Sequence, residues 1–266
     1  MNRETNAPGK IILSGEYAVL FGYPGIAVPS SQCVFATYEE QADATNLRID
    51  WPQIKEDGTW QRYAQRVVSL CEETSGTLPG ILHVHSDIPL GKGMGSSTAF
   101  VIATCRCLLG NDCEDEARAI EDVVNPGNSG IDFAVIWDNQ PLRFQRGAAS
   151  STAMLDLDFL AHGTFIDTGN PHESTVELVS WIRSRSQEPA IADALKSIGA
   201  CTNRLLGGED PLAIFRDHHR AQVILGIVPS AVQELIAQIE AKGGAAKVIG
   251  AGGKTGGGGM VLALKP

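Results

Sequence analysis

Long apolar runs are missing from this chain: none approaches the roughly 20 residues that a membrane-spanning helix requires. The first ten residues, Met1 to Lys10, are polar and lack the apolar core of a secretory signal. A cytoplasmic protein is expected on both counts. Positive charge is also scarce. Lys and Arg number 21 against 31 Asp and Glu, a formal net charge of −10. That balance excludes a protein that coats nucleic acid or a membrane surface through a basic face. Any anionic ligand must be met by local cations or by backbone N–H groups. The six cysteines, Cys33, Cys71, Cys105, Cys107, Cys113 and Cys201, include no C-x-x-C pair. A structural zinc site therefore lacks its usual ligand spacing, and reduced thiols are expected. There is no internal repeat, low-complexity tract or long linker.

Glycine, by contrast, is concentrated in two places. The first is Pro89-Leu90-Gly91-Lys92-Gly93-Met94-Gly95-Ser96-Ser97-Thr98-Ala99. An apolar run to Leu109 follows and reads as a helix. Alternating glycines before a helix expose backbone N–H groups at the positive end of the helix dipole, a geometry suited to phosphate. The plain alternative is a tight turn with a serine cap. The second cluster runs from Lys247 to Gly259 and holds seven glycines in thirteen residues. Its Gly253-Lys254-Thr255 does not complete a P-loop, because Val248 stands where the pattern needs glycine, and because a strand rather than a helix follows. It is either a flexible hairpin loop or a place where backbone closely approaches a ligand or the first glycine loop.

Two further segments carry candidate chemistry. Glu121 and Asp132 are separated by a helix end and the turn Asn125-Pro126-Gly127, which can fold one carboxylate toward the other. One could hold a metal and the other act on a hydroxyl; alternatively they are a solvated helix face and a helix cap. Lys10 opens an apolar strand, where it either meets an anion or marks an exposed strand end. The pair His218-His219 is read as surface and packing, since adjacent helical residues do not face one site.

Periodicity predicts strands over Lys10–Leu20, Ile26–Val28, Cys33–Tyr38, Ile81–Ser86, Gly163–Asp167 and Met260–Leu264. It predicts helices over Trp60–Cys71, Ala99–Leu109, Glu114–Val124, Ser174–Ser184, Pro211–Leu225 and Ser230–Lys242. The order is non-alternating, which indicates an α+β protein rather than a doubly wound sheet. The pattern restarts after Gly147, so a division near residues 150 to 160 is expected.

Together these segments resemble the GHMP family of small-molecule kinases. Ala7–Leu20 resembles the first family motif, Pro89–Ala99 the phosphate loop that forms the second, and Lys247–Met260 the third. Asn125–Asp132 is similar to the family segment ending in S-G-x-D. The resemblance covers nearly the whole chain. It implies an N-terminal domain, 1–153, of the ribosomal-S5-domain-2-like type that binds ATP, and a ferredoxin-like C-terminal domain, 154–266, with the active site between them. It implies Lys10 and Asp132 as catalytic residues. Gly91, Gly93, Gly95, Ser96 and Ser97 would cradle the nucleotide phosphates, and Ser97 and Glu121 would bind Mg2+. Glu16, Tyr17, Gly252 and Gly253 would contact the acceptor. The implied activity is ATP- and magnesium-dependent phosphorylation of a hydroxyl on a small acidic metabolite: mevalonate first, and phosphomevalonate as the alternative because Tyr17 stands in a G-E-Y form. A catalytically silent ligand sensor is the non-enzyme alternative. A small-molecule substrate is expected, with no nucleic-acid or membrane partner; a homodimer is left open. Departures from the family pattern are Tyr17 where histidine is usual in one branch, Asn139-Gln140 near the usual Gly-Gly, Ile249, and the Lys254-Thr255 interruption of the third glycine run.

Overall fold

In the computed structural model, which describes residues 2–55 and 58–265, one long strand organises the N-terminal half. This strand, β2 (Gly25–Glu40), pairs along its length with β1 (Asn2–Ser14), antiparallel. Its opposite edge is shared. β4 (Gly80–Ser86) pairs with residues 34–40, and β5 (Leu142–Phe144) with residues 25–27. β3 (Leu47–Asp50) lies parallel to β4, and β6 (Ser151–Thr152) closes the other edge beside β5. The sequence reading splits β2 at Pro29-Ser30-Ser31. The structure joins the two pieces, because β1 spans the gap and absorbs the irregularity with a register shift between Pro8 and Lys10.

The parallel β3–β4 pair is connected by α1 (Thr59–Ser75). Its buried Ala64, Val67, Val68 and Cys71 follow helical spacing. α2 (Ser96–Leu109) is buried on almost every side, which explains its continuous apolar sequence. It packs on β1 and β2 and is flanked by α3 (Glu114–Val124) and α4 (Ile131–Asp138).

After the short α5 (Asp158–Ala161), a second, antiparallel sheet forms. β7 (Thr164–Asp167) and β8 (Ala245–Val248) flank β9 (Met260–Leu264). Its helices are α6 (Thr175–Arg185), α7 (Pro189–Leu206), α8 (Pro211–Leu225) and α9 (Ser230–Glu240). α7 escaped the sequence reading. Its signals were present: Pro189 in the first helical turn, and buried Ile191, Leu195, Ile198, Thr202 and Leu205 at helical spacing.

The two sheets share apolar cores. One cluster joins Leu13, Ile26, Phe100 and Phe133 to Phe215 and Leu262. The other embeds Tyr17 and Ala18 among Ile198, Leu225 and Val248. Among the described residues no helix is long and apolar enough to cross a membrane. The architecture is α+β, its two layers joined through shared apolar clusters.

Candidate active site

Where the two layers meet, a cleft of about 260 Å³ opens. β1 does not continue to Leu20 as its apolar run suggests. It ends at Ser14, and Gly15-Glu16-Tyr17 turns into a 3-10 segment, Ala18–Phe21, with Tyr17 at a left-handed φ of 61°. The cleft is lined by this turn, the glycine loop before α2, the α3–α4 connection, the face of α6 that bears Thr175, and Gly250-Ala251.

Lys10 is 2% exposed, so it is not a solvated strand end. Its Nζ donates to the Gly93 carbonyl at 3.0 Å and lies 3.2 Å from Asp132 Oδ1. Asp132 stands in the first turn of α4, where the helix dipole favours a carboxylate. It does not cap that helix. The cap position is Gly130, and no side chain bonds there. Asp132 is 35% exposed and lines the cleft, so one oxygen faces the lysine while the group stays accessible to a bound molecule.

The glycine loop owes its shape to two close approaches. A Cβ on Gly93 would sit 2.6 Å from the Ile249 carbonyl oxygen, at a φ of +82°. A Cβ on Gly95, at a φ of +80°, would sit 2.9 Å from Lys10 Cγ. The first glycine lets the second glycine cluster touch the loop; the second makes room for the lysine stem. Gly91, Gly93, Gly95, Ser96 and Ser97 all line the cleft, and the Ser96 hydroxyl accepts the Gly91 N–H at 3.2 Å. Gly93→Ala is therefore expected to cost about 1–3 kcal/mol through backbone strain and the clash with Ile249. Thermal melting together with ATP titration checks this: an unchanged midpoint with unchanged ATP affinity would contradict the close-approach account.

Glu121 is 3% exposed, which removes the solvated-face reading. Burial pushes its carboxyl up to about 7, with nearby Asp132 adding to the effect and the Thr98 hydroxyl and the neighbouring Asn125 amide opposing it. The Thr98 hydroxyl donates to Glu121 Oε1 at 2.8 Å, while Oε2 is buried without a hydrogen-bond partner. Sequence reasoning named Ser97 but missed Thr98. Ser97 does line the cleft, yet the hydroxyl that reaches the glutamate belongs to the next residue, which the helical turn directs toward α3. Asn125 was also missed as a side chain. Its amide donates to the Tyr63 hydroxyl at 2.9 Å, which in turn reaches the Ser97 carbonyl at 3.3 Å.

Three expected acceptor contacts are placed differently. Gly252 and Gly253 do not line the cleft; a Cβ on Gly252 would strike the Ile227 carbonyl oxygen at 2.3 Å, and Gly253 N–H is bonded to that carbonyl. The members of the cluster that face the cleft are Gly250 and Ala251. Glu16 belongs to the cleft wall, but its carboxylate is 1% exposed and engaged by Lys247 and His218. Tyr17 stays at the cleft with its hydroxyl donated to the Ala251 carbonyl at 2.6 Å. Burial, reinforced by Glu16, raises the pKa of that phenol. Both His218 and His219 are buried, so both serve packing and neither is a surface residue. The Lys254-Thr255 interruption forms an exposed turn whose two backbone N–H groups are held by Glu173.

The chain is similar to known proteins in sequence and in fold. Residues 62–138 match the family model described as the GHMP kinases N terminal domain. The mevalonate kinase of Pyrococcus horikoshii is 29% identical over 98% of this chain and 88% of its own length. The crystal structure of the Methanococcus jannaschii mevalonate kinase superimposes with a TM-score of 0.82 at 19% identity, over 100% of this chain and 90% of that one. That of the L. major mevalonate kinase in complex with R-mevalonate gives 0.77 at 16% identity, over 98% and 86%. The fold is thus that of the GHMP kinases, and the segment that matches their N-terminal domain carries the glycine-loop helix and Asp132.

Proposed function

We propose that the protein is an ATP-dependent kinase that transfers a phosphoryl group to the hydroxyl of mevalonate. The observation that carries this reading is the Lys10–Asp132 pair, 3.2 Å apart, beside a glycine loop at the N-terminus of a buried helix. Phosphoryl transfer needs positioning and charge neutralisation more than covalent help from the protein. The loop offers backbone N–H groups to the nucleotide phosphates. Asp132 orients the acceptor hydroxyl and takes its proton, and Lys10 stabilises the oxygen as negative charge develops on it.

The residues present fit a magnesium ion. Glu121 offers a buried carboxylate oxygen with no other partner, and Ser97 offers a hydroxyl on the same wall. No cluster of three or more metal-ligating side chains occurs among the described residues. That suits a cation held by one or two protein oxygens, phosphates and water, as magnesium usually is. Bound there, Mg2+ would supply charge neutralisation at the β,γ-phosphates. Glu121→Gln is expected to raise the magnesium needed for half-maximal rate about tenfold or more, with KM for the acceptor unchanged. An unaltered magnesium titration would remove Glu121 from this role.

The cleft favours an unphosphorylated acceptor. Of the described residues lining it, Lys10 is the only cation, against Glu121 and Asp132 (the Glu16 carboxylate is turned away and paired with Lys247), and the Tyr17 hydroxyl is already bonded to the protein. A phosphomonoester acceptor would bring a second dianion into a site that already receives a triphosphate, with no further cationic side chain to meet it. A coupled ADP-release assay against mevalonate, phosphomevalonate, galactose and homoserine tests the proposal. Mevalonate is expected to turn over fastest. Preferential turnover of phosphomevalonate, or of neither, would overturn it.

A further inference from the structure

Directly behind the cleft lies a group of ionisable side chains that the reaction does not touch. Lys247 on β8 is fully buried, with Nζ donating to the Ile12 carbonyl at 3.0 Å and to Glu16 Oε1. The other Glu16 oxygen lies 3.0 Å from Nε2 of His218, which is fully buried on α8. Burial disfavours the charged form of Glu16, but its neighbours, the Lys247 ammonium foremost, outweigh it and hold the carboxyl well below the usual carboxylate range. Burial lowers the pKa of His218, so the triad holds one lysine–glutamate charge pair and a histidine that resists protonation. Such a cluster is a weak source of stability, because apolar residues of similar volume often serve as well or better. Its placement is therefore the informative feature.

All its contacts converge on the end of β1. Ile12 is two residues from Lys10, and the pairing of β1 with β2 is regular from Lys10 to Ile12. Fixing the Ile12 carbonyl thus fixes the backbone about 6–7 Å away that carries Lys10. Glu16 precedes Tyr17, the non-glycine residue at φ 61°, whose hydroxyl is caught by Ala251 four residues after Lys247. Ser14, between them, donates to the Ile198 carbonyl of α7 at 3.0 Å. Every second residue from Ile12 to Glu16 is therefore gripped by the C-terminal half.

We infer that Lys247, Glu16 and His218 form a positioning clasp: the C-terminal half uses them to hold the strand end that aims Lys10 at the phosphoryl-transfer point and Tyr17 at the acceptor side of the cleft. This rests on the proposed kinase reading but concerns different residues. Glu16 acts through Lys10 and Tyr17 rather than by touching the acceptor.

The test reads the position of Lys10 without requiring acceptor turnover. An acyl phosphate of ATP places an acyl carbonyl near the phosphate loop; the Lys10 amine attacks it, forms an amide and releases ATP, and peptide mass spectrometry measures the rate. The charge-balanced double variant Glu16→Gln/Lys247→Met avoids leaving an unpaired buried ion. It is expected to lower Lys10 acylation, and kcat with it, at least about tenfold, since small displacements of a reacting group carry such penalties. ATP affinity and acceptor KM move much less. Leu225→Ala, a cavity in the neighbouring core, serves as the destabilised control and keeps Lys10 acylation. Should the double variant not fold, His218→Leu, which leaves the lysine–glutamate pair intact, is expected to slow acylation about threefold or more. Wild-type acylation in whichever variant folds, or an equal loss in Leu225→Ala, would overturn the clasp. A wild-type protein that is acylated at Lys10 but phosphorylates no mevalonate would sink the substrate assignment alone.

Discussion

Asp132→Asn is expected to lower kcat about 10²-fold or more, the usual scale for a positioned acid or base, while ATP affinity stays as it was. The substitution keeps the shape of the side chain and removes its charge. Asp132 neither caps α4 nor belongs to the glycine loop, so neither the helix nor the loop depends on it. What it does have is an accessible edge in the cleft and a buried lysine 3.2 Å away. An asparagine there can still accept from Lys10 but cannot take the hydroxyl proton. Steady-state kinetics with saturating ATP measure the effect. Retention of kcat within about threefold in a variant with native melting would reduce Asp132 to an ion-pair partner.

Lys10→Met should be as damaging, lowering kcat roughly 10²- to 10³-fold, the range for losing one preorganised charge donor at a developing oxyanion. Methionine preserves the stem that lies against Gly95, so that part of the loop keeps its support. What disappears is the cation and its bond to the Gly93 carbonyl. Asp132 is partly exposed and can recover water, which limits the stability cost of losing its partner. Because the two groups act on one oxygen, their effects should not add: Lys10→Met/Asp132→Asn is expected to be little slower than the worse single variant. Additive losses would mean that the two residues serve separate steps.

Much of this site was legible in the linear chain because it is built from local chemistry. The glycine loop and its helix are contiguous, and loop shape is set by residues a few positions apart. Lys10 in an apolar strand and the Glu121–Asp132 spacing were visible for the same reason. The misplaced residues share a different property. Glu16 reads as a cleft residue until β8 and α8 bring Lys247 and His218 against it from more than two hundred residues away. Gly252 and Gly253 look like ligand-facing glycines until their backbone is seen against Ile227. Thr98 was passed over for Ser97 because a one-residue step along a helix changes direction by about 100°, and only the position of α3 decides which hydroxyl meets Glu121.

The sequence by itself determined the α+β class, a glycine-rich loop ahead of a helix, and the lack of a membrane-length apolar run, whereas the pairing of Lys10 with Asp132 was implied by the resemblance to the GHMP kinases. The first three follow from periodicity, glycine placement and hydropathy, which act over a few residues. Tertiary structure alone decided that β2 runs unbroken through Pro29, that β1 ends at Ser14, and that the second glycine cluster supports the first by backbone contact. It also decided which charged groups face the cleft and which are buried behind it. Burial and pairing of charges depend on what arrives from distant parts of the chain, and side-chain identity carries no record of that neighbour until the layers close.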